Sequence, residues 1–383
     1  MHHRHTQILH GGPSIDPYTG ALSTPIYPAS TYHQPSVGTP QAFEYSRSGN
    51  PTRQALELTL AALEGVPYGY AFASGVAAIS GTFLALLSQG DHLIATQDVY
   101  GGTYRLLTQY LPRFGITHTF VDATDLDAVT RAITPQTKAI YIESPSNPLL
   151  RILDIKELAS LAHQHGLMCF MDNTFLSPYL CRPLDLGVDV SIHSASKYLG
   201  GHSDLIAGAV MVKDAQLASR LYDIQNAMGM MLSPENSWLL LRGIKTLGVR
   251  LDAQCQTAMQ LAQWLQTQSW VRHVYYPGLH THPGHDLMTQ QANGYGAIVS
   301  FEVMDDATVS RLLHHTHLWR IAISLGGVES ILSYPWTMSH AAIPEVTRTQ
   351  LGINNRLIRA SVGLENGQDL IQDLAQCHPD TKG

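Results

Sequence analysis

Val190-Ser-Ile-His-Ser194-Ala-Ser196-Lys197-Tyr198-Leu-Gly-Gly-His202 runs from an apolar strand pattern through small hydroxyl residues to one lysine and a glycine-rich turn. A lysine at the end of a buried strand is desolvated. Desolvation lowers the pKa of an ammonium and so makes the amine a nucleophile toward carbonyls. Upstream, Leu167-Met-Cys-Phe-Met-Asp172-Asn173-Thr174 is a second apolar strand, and it ends in an acid. Two successive strands that each deliver a reactive side chain at the carboxyl end belong to an α/β sheet, where ligands bind at that edge.

Outward from these two strands the same alternation continues. Tyr68–Ala73, His92–Thr96, Ala139–Glu143, Leu167–Asp172, Val188–His193 and Ala207–Val212 read as strands. Gly75–Leu87, Thr103–Tyr110 and Ile155–His165 read as helices between them. The pattern implies βαβ units and a mostly parallel, doubly wound sheet flanked by helices. Beyond about residue 215 the texture changes. One long helical stretch spans Ser233–Thr267 with Pro234 in its first turn, followed by a strand at Ala297–Val303, a helix near Ala307–His315 and a strand-like Ser330–Tyr334. Residues 1–50, rich in Pro, Gly, Ser, Thr and Tyr, show no sustained periodicity. The expected organisation is an extended N-terminal arm (1–50), an α/β domain (51–232) and a smaller C-terminal α+β domain (233–383).

The 383-residue chain is long enough for a large core. Its net charge of −7 disfavours nucleic acid and anionic membrane surfaces as partners, and its 14% charged residues suit a chain that buries surface between subunits. No apolar run approaches the ~20 residues of a membrane span. The terminus Met1-His-His-Arg-His-Thr6 lacks a signal-peptide core, which places the expected location in the cytoplasm. Cys169, Cys181, Cys255 and Cys377 form no C-x-x-C pair and read as reduced structural thiols. The twenty histidines are scattered, no metal site is expected, and the His2/His3/His5 cluster is assigned no role.

Each remaining motif falls at a strand end. Phe72-Ala-Ser74-Gly75-Val76 is a strand, a small turn and a helix start, where free backbone N–H groups hold phosphate oxygens and Gly75 permits close approach. Ser194 and Ser196 offer hydroxyls to the same phosphate, or else cap the turn. Tyr100, on the turn Asp98-Val-Tyr-Gly-Gly102, can stack on a flat ring or pack internally. Glu143-Ser-Pro-Ser-Asn147-Pro148 is a proline-fixed loop from which Asn147 reaches a cofactor oxygen or a carboxylate. Arg359 stands in the apolar run Leu357–Val362; a buried arginine needs an anion, either an amino-acid carboxylate or an internal acid. Lys197 with Asp172 is what pyridoxal phosphate (PLP) requires. The amine holds the aldehyde as a Schiff base, and the acid keeps the pyridine nitrogen protonated.

Together with Tyr45-Ser-Arg47-Ser-Gly-Asn-Pro-Thr-Arg53 and Ser324-Leu-Gly-Gly327-Val-Glu329-Ser330, these runs resemble the Cys/Met-metabolism family of PLP enzymes, of fold type I. They stand in family order over nearly the whole chain. The resemblance implies a PLP-dependent transferase-like fold with a seven-stranded-type sheet. It implies that Lys197 holds PLP and shuttles protons and that Asp172 pairs the pyridinium. Tyr100 stacks on the ring and assists the leaving group. Gly75, Val76, Ser194 and Ser196 hold the phosphate, joined by Tyr45 and Arg47 from a neighbouring subunit. Arg359, Ser324 and Asn147 hold the substrate α-carboxylate. The resemblance further implies a homotetramer built as a dimer of active dimers.

Within that family, Gly102 stands where methionine γ-lyases usually carry cysteine, which disfavours that activity. Glu44 and Arg105 match positions that face the distal groups of cystathionine in cystathionine lyases. Ile323 stands where many γ-synthases and eukaryotic γ-lyases carry glutamate, and so permits β-elimination. The resemblance therefore implies a bacterial-type cystathionine lyase, γ-cleaving first, with hydrogen sulfide release from cysteine as a side activity. β-Cleavage is the second reading, and γ-synthase or O-acylhomoserine sulfhydrylase chemistry the third. A catalytically silent PLP-binding relative is the non-enzymatic alternative.

Overall fold

The computed structural model describes residues 3–39 and 41–377; His2 lies outside them. Seven strands form one sheet: β1 (Tyr68–Phe72), β2 (His92–Thr96), β3 (Thr117–Val121), β4 (Thr137–Glu143), β5 (Met168–Asp172), β6 (Val190–His193) and β7 (Gly208–Val212). Their spatial order is β1-β7-β6-β5-β4-β2-β3, with β7 antiparallel to both its neighbours and the other pairs parallel. Apart from Lys138 near the start of β4, β2, β4, β6 and β7 are buried along their length, as a sheet covered on both faces by helices demands. A second sheet holds β8 (Val271–Tyr275), β9 (Ile298–Val303), β10 (Arg320–Ile321), β11 (Ile331–Ser333) and β12 (Leu357–Ser361), in the order β10-β11-β12-β9-β8.

Three sequence expectations change. The helical stretch 233–267 is two helices, Pro234–Ile244 and Leu247–Gln266. They part because the Gly243 carbonyl accepts from Thr246 N, Thr246 Oγ1 and Arg250 Nη2. Gly243 also packs on the turn after Lys197; a Cβ there would sit 2.2 Å from the Gly200 carbonyl oxygen. The segment expected as a helix over Thr103–Tyr110 begins at Gly101 and loosens into a π-helical turn over Leu106–Tyr110. The arm is not featureless. Arg4–His10 is a helix whose His5 meets the Tyr179 hydroxyl at 2.9 Å and Asp252 at 3.3 Å, while Arg4 donates to the Tyr179 carbonyl. The four cysteines are free, and no helix among the described residues is long and apolar enough to cross a membrane.

Candidate active site

A cavity of about 540 Å³ opens at the carboxyl ends of β4, β5 and β6 and is closed on the far side by residues around β11 and β12. Lys197, Asp172, Tyr100, Gly75, Val76, Ser194, Ser196, Asn147, Ser324 and Arg359 all line it. Glu44, Tyr45, Arg47 and Arg105 do not; they are exposed on the single chain, where Arg47 donates to the Asn226 carbonyl at 3.2 Å.

β5 and β6 set the central pair. Asp172 accepts from Thr174 N at 2.9 Å and Thr174 Oγ1 at 2.5 Å, which fixes its carboxylate plane. Thr174 Oγ1 in turn accepts from Ser194 N at 2.8 Å, so the acid and the turn that carries the lysine are built as one unit. Burial pushes the Asp172 carboxyl above its usual range, the Thr174 hydrogen bonds and then the nearby His193 pull it the other way, and neither lysine nor arginine pairs with it among the described residues. Lys197 Nζ donates to Ser324 Oγ at 2.9 Å. Burial, and then the Arg359 charge, lower its pKa to about 8. Ser324 has φ +119, strained for a residue with a Cβ, at the point where it receives the lysine.

The helix Gly75–Leu86 aims its first turn at Ser194. A Cβ on Gly75 would lie 2.7 Å from Ser194 Cβ, so only glycine lets the helix N-terminus and the serine line one cradle. Ser74 Oγ caps the Ala77 N–H at 3.0 Å, which leaves the N–H groups of Gly75 and Val76 without a partner within the helix, at the end that attracts an anion. Ser196 has a different duty. It donates to the Ala207 carbonyl and accepts from Ala207 N, so its hydroxyl ties the lysine turn to β7.

Tyr100 is held by its backbone. Its N–H donates to Glu143 Oε2 at 2.9 Å, and Glu143 also accepts from the Tyr141 hydroxyl at 2.9 Å. Its ring lies over Gly102, where a Cβ would fall 2.4 Å from Cε1. Glu143 ends a strand motif whose sequence alone assigns it no role. Burial, followed by the neighbouring Asp172 charge, pushes its carboxyl well up. These two acids are register partners at the ends of β4 and β5.

Arg359 is buried, and no acid pairs with it among the described residues, which removes the internal salt bridge as its purpose. Its Nη1 donates to Asn147 Oδ1 at 2.9 Å, its Nη2 to the Ser324 carbonyl at 2.7 Å and to Ser333 Oγ at 3.1 Å, and its Nε is buried without a partner. A cation held by neutral acceptors keeps its charge available for an anionic ligand.

An enclosed acid with no lysine or arginine partner, a low-pKa lysine and a glycine-lined helix terminus fit the pyridine nitrogen, the aldehyde and the phosphate of PLP. The α/β sheet and this edge define the chain as a fold type I PLP enzyme. The sequence profile of the Cys/Met metabolism PLP-dependent enzymes matches residues 5–378, and the chain belongs to that family. It is 54% identical over 371 residues to the cystathionine beta-lyase MetC of Bacillus subtilis strain 168, covering 97% of this chain and 95% of that protein. It is 48% identical to the cystathionine gamma-lyase of the same organism, covering 97% and 98%. The crystal structure of cystathionine gamma-lyase from Lactobacillus plantarum complexed with L-serine superposes with a TM-score of 0.96 at 49% identity, covering 98% of both chains. The chain is thus a PLP-dependent enzyme of the carbon–sulfur lyase class.

Proposed function

We propose that this chain cleaves L-cystathionine, and that it breaks the bond between sulfur and the β carbon, giving homocysteine, pyruvate and ammonia with the uptake of one water. The observation that carries this reading is the wall beyond Ser324. There Ile323, Ala322, Leu205 and Ile206 face the cavity, and among the described residues Lys197 is the single amine that lines it. β-Elimination asks one base to take one proton, from Cα. γ-Elimination asks for a second removal, from Cβ. We therefore rank β before γ, the reverse of the order that the resemblance implies, on the apolar wall to which Ile323 belongs. γ-Cleavage remains the second reading, favoured by the single hydrogen bond that holds Lys197 Nζ and leaves the amine free to swing.

PLP, when bound, supplies an electron sink for the pair left at Cα. Arg359 would hold the α-carboxylate by its fork and so orient the Cα–H toward Lys197. Lys197 would take that proton, and Tyr100, half-exposed in the same cavity, stands ready to protonate the departing sulfur. Gly75, Val76 and Ser194 would hold the phosphate, and Asp172 would hold the proton on the ring nitrogen.

In this reading residues 51–232 carry the cofactor and contribute Asn147 to the substrate, residues 233–383 contribute Ser324 and Arg359 to it, and the 1–50 arm delivers Tyr45 and Arg47 to a second subunit's phosphate in a dimer-based tetramer. Support comes from the exposure of both side chains on the single chain. Replacing Arg47 by alanine is expected to raise the PLP dissociation constant about tenfold, because a charge-assisted phosphate contact is lost. Equilibrium dialysis measures this, and unchanged retention would place the arm elsewhere. Incubation of the PLP-loaded protein with L-cystathionine, with the keto acids resolved by mass, tests the reaction itself. Pyruvate with homocysteine is expected; 2-oxobutyrate with cysteine would establish γ-cleavage, and neither would overturn the substrate.

A further inference from the structure

We infer that His340 is a positioning residue for the carboxylate-binding pair Arg359 and Asn147; the inference rests on the carboxylate reading of Arg359 given above. His340 lies on the segment between β11 and the helix Glu345–Gln350, and it is fully buried. Its Nε2 lies 2.9 Å from the Asn147 backbone carbonyl, which can only accept, so the proton sits on Nε2. Nδ1 is then the acceptor for the Ser339 hydroxyl, 2.8 Å away. One neutral tautomer satisfies both contacts, and burial holds the ring neutral, with its pKa lowered to about 4.

Asn147 is gripped at both ends. His340 holds its backbone, and Arg359 holds its side chain. The loop that carries Asn147 hangs from β4 of the large sheet, whereas His340 and Arg359 belong to the part of the chain that builds the small one. The imidazole therefore sets how far Asn147, and with it the Arg359 fork, stands from the end of β4. The same segment presses on the Tyr100 turn: a Cβ on Gly101 would sit 2.4 Å from the Ser339 carbonyl oxygen. His340 is not among the residues that line the cavity, and its hydrogen bonds among the described residues go to Ser339 and Asn147, not to Lys197 or Tyr100. Its effect should therefore fall on substrate holding and leave the chemical step nearly intact.

The test uses the PLP-loaded protein and glycine, which carries the α-carboxylate and no leaving group. In His340→Phe the ring volume stays and the donor goes. The glycine dissociation constant, measured by titration calorimetry, and the KM for cystathionine are both expected to rise about tenfold to a hundredfold, with kcat within about threefold of the parent. In His340→Gln an amide N–H replaces Nε2–H, and glycine affinity is expected to return to within about threefold. Parental glycine binding by His340→Phe, or a loss confined to kcat, would overturn the inference. If His340→Phe does not accumulate as folded protein, His340→Gln and His340→Asn decide. The longer amide reaches the Asn147 carbonyl and the shorter does not, so equal affinities overturn the proposal. Glycine binding does not depend on which carbon–sulfur bond is cut. A chain that ignores cystathionine but binds glycine in a His340-dependent way would sink only the substrate assignment.

Discussion

Lys197→Ala is expected to lower turnover of cystathionine by at least about 10⁴-fold and to abolish the yellow absorbance of the loaded protein. Among the described residues Lys197 is the single amine that lines the cavity, and its Nζ rests on Ser324 Oγ. Because burial lowers its pKa to about 8, about a quarter of the amine is neutral at pH 7.5, against about a thousandth for an ordinary lysine. The sign follows: the rate at which the empty protein attaches to PLP should rise with pH and level off just above pH 8. A rate that kept climbing toward pH 10 would mean that Lys197 is not desolvated in solution, and turnover by the alanine variant would remove it from the reaction.

Arg359→Ala is expected to raise KM for cystathionine about a thousandfold. The carboxylate would enter a buried place built for its counter-charge and find none, a loss of about 3–5 kcal/mol. Arg359→Lys should recover part of this, since the charge returns without the fork that donates to Asn147, Ser324 and Ser333. PLP retention should stay parental in both, because the arginine faces the substrate and not the phosphate cradle. A KM that stays parental in Arg359→Ala would return the arginine to a purely structural role.

What the sequence made legible is the large sheet's edge. Lys197 and Asp172 end apolar strands, and apolar strands in series leave little choice about where their last residues emerge. Less legible was whatever depends on contacts far along the chain. β3 leaves no clear sequence signal because it is an edge strand, and Thr117-His-Thr-Phe-Val121 has no apolar run. The helix Arg4–His10 buries only Ile8, and its anchors Tyr179 and Asp252 lie far along the chain. His340 carries no local signal; its acceptor is 193 positions away. Glu143 stood in a motif already quoted, but its partners Tyr100 and Tyr141 give it meaning only once β2 and β4 lie side by side.

The lysine, the acid and the phosphate cradle come from the seven-stranded sheet, while Ile323, Ser324 and Arg359 come from the stretch that builds the five-stranded one. A duplicated copy of the gene would thus begin life with its ring-holding machinery finished. Drift confined to wall positions such as Ala322 and Ile323 would retune which amino acid is read and leave the cofactor-holding residues untouched, so descendants could part ways in diet while sharing one engine.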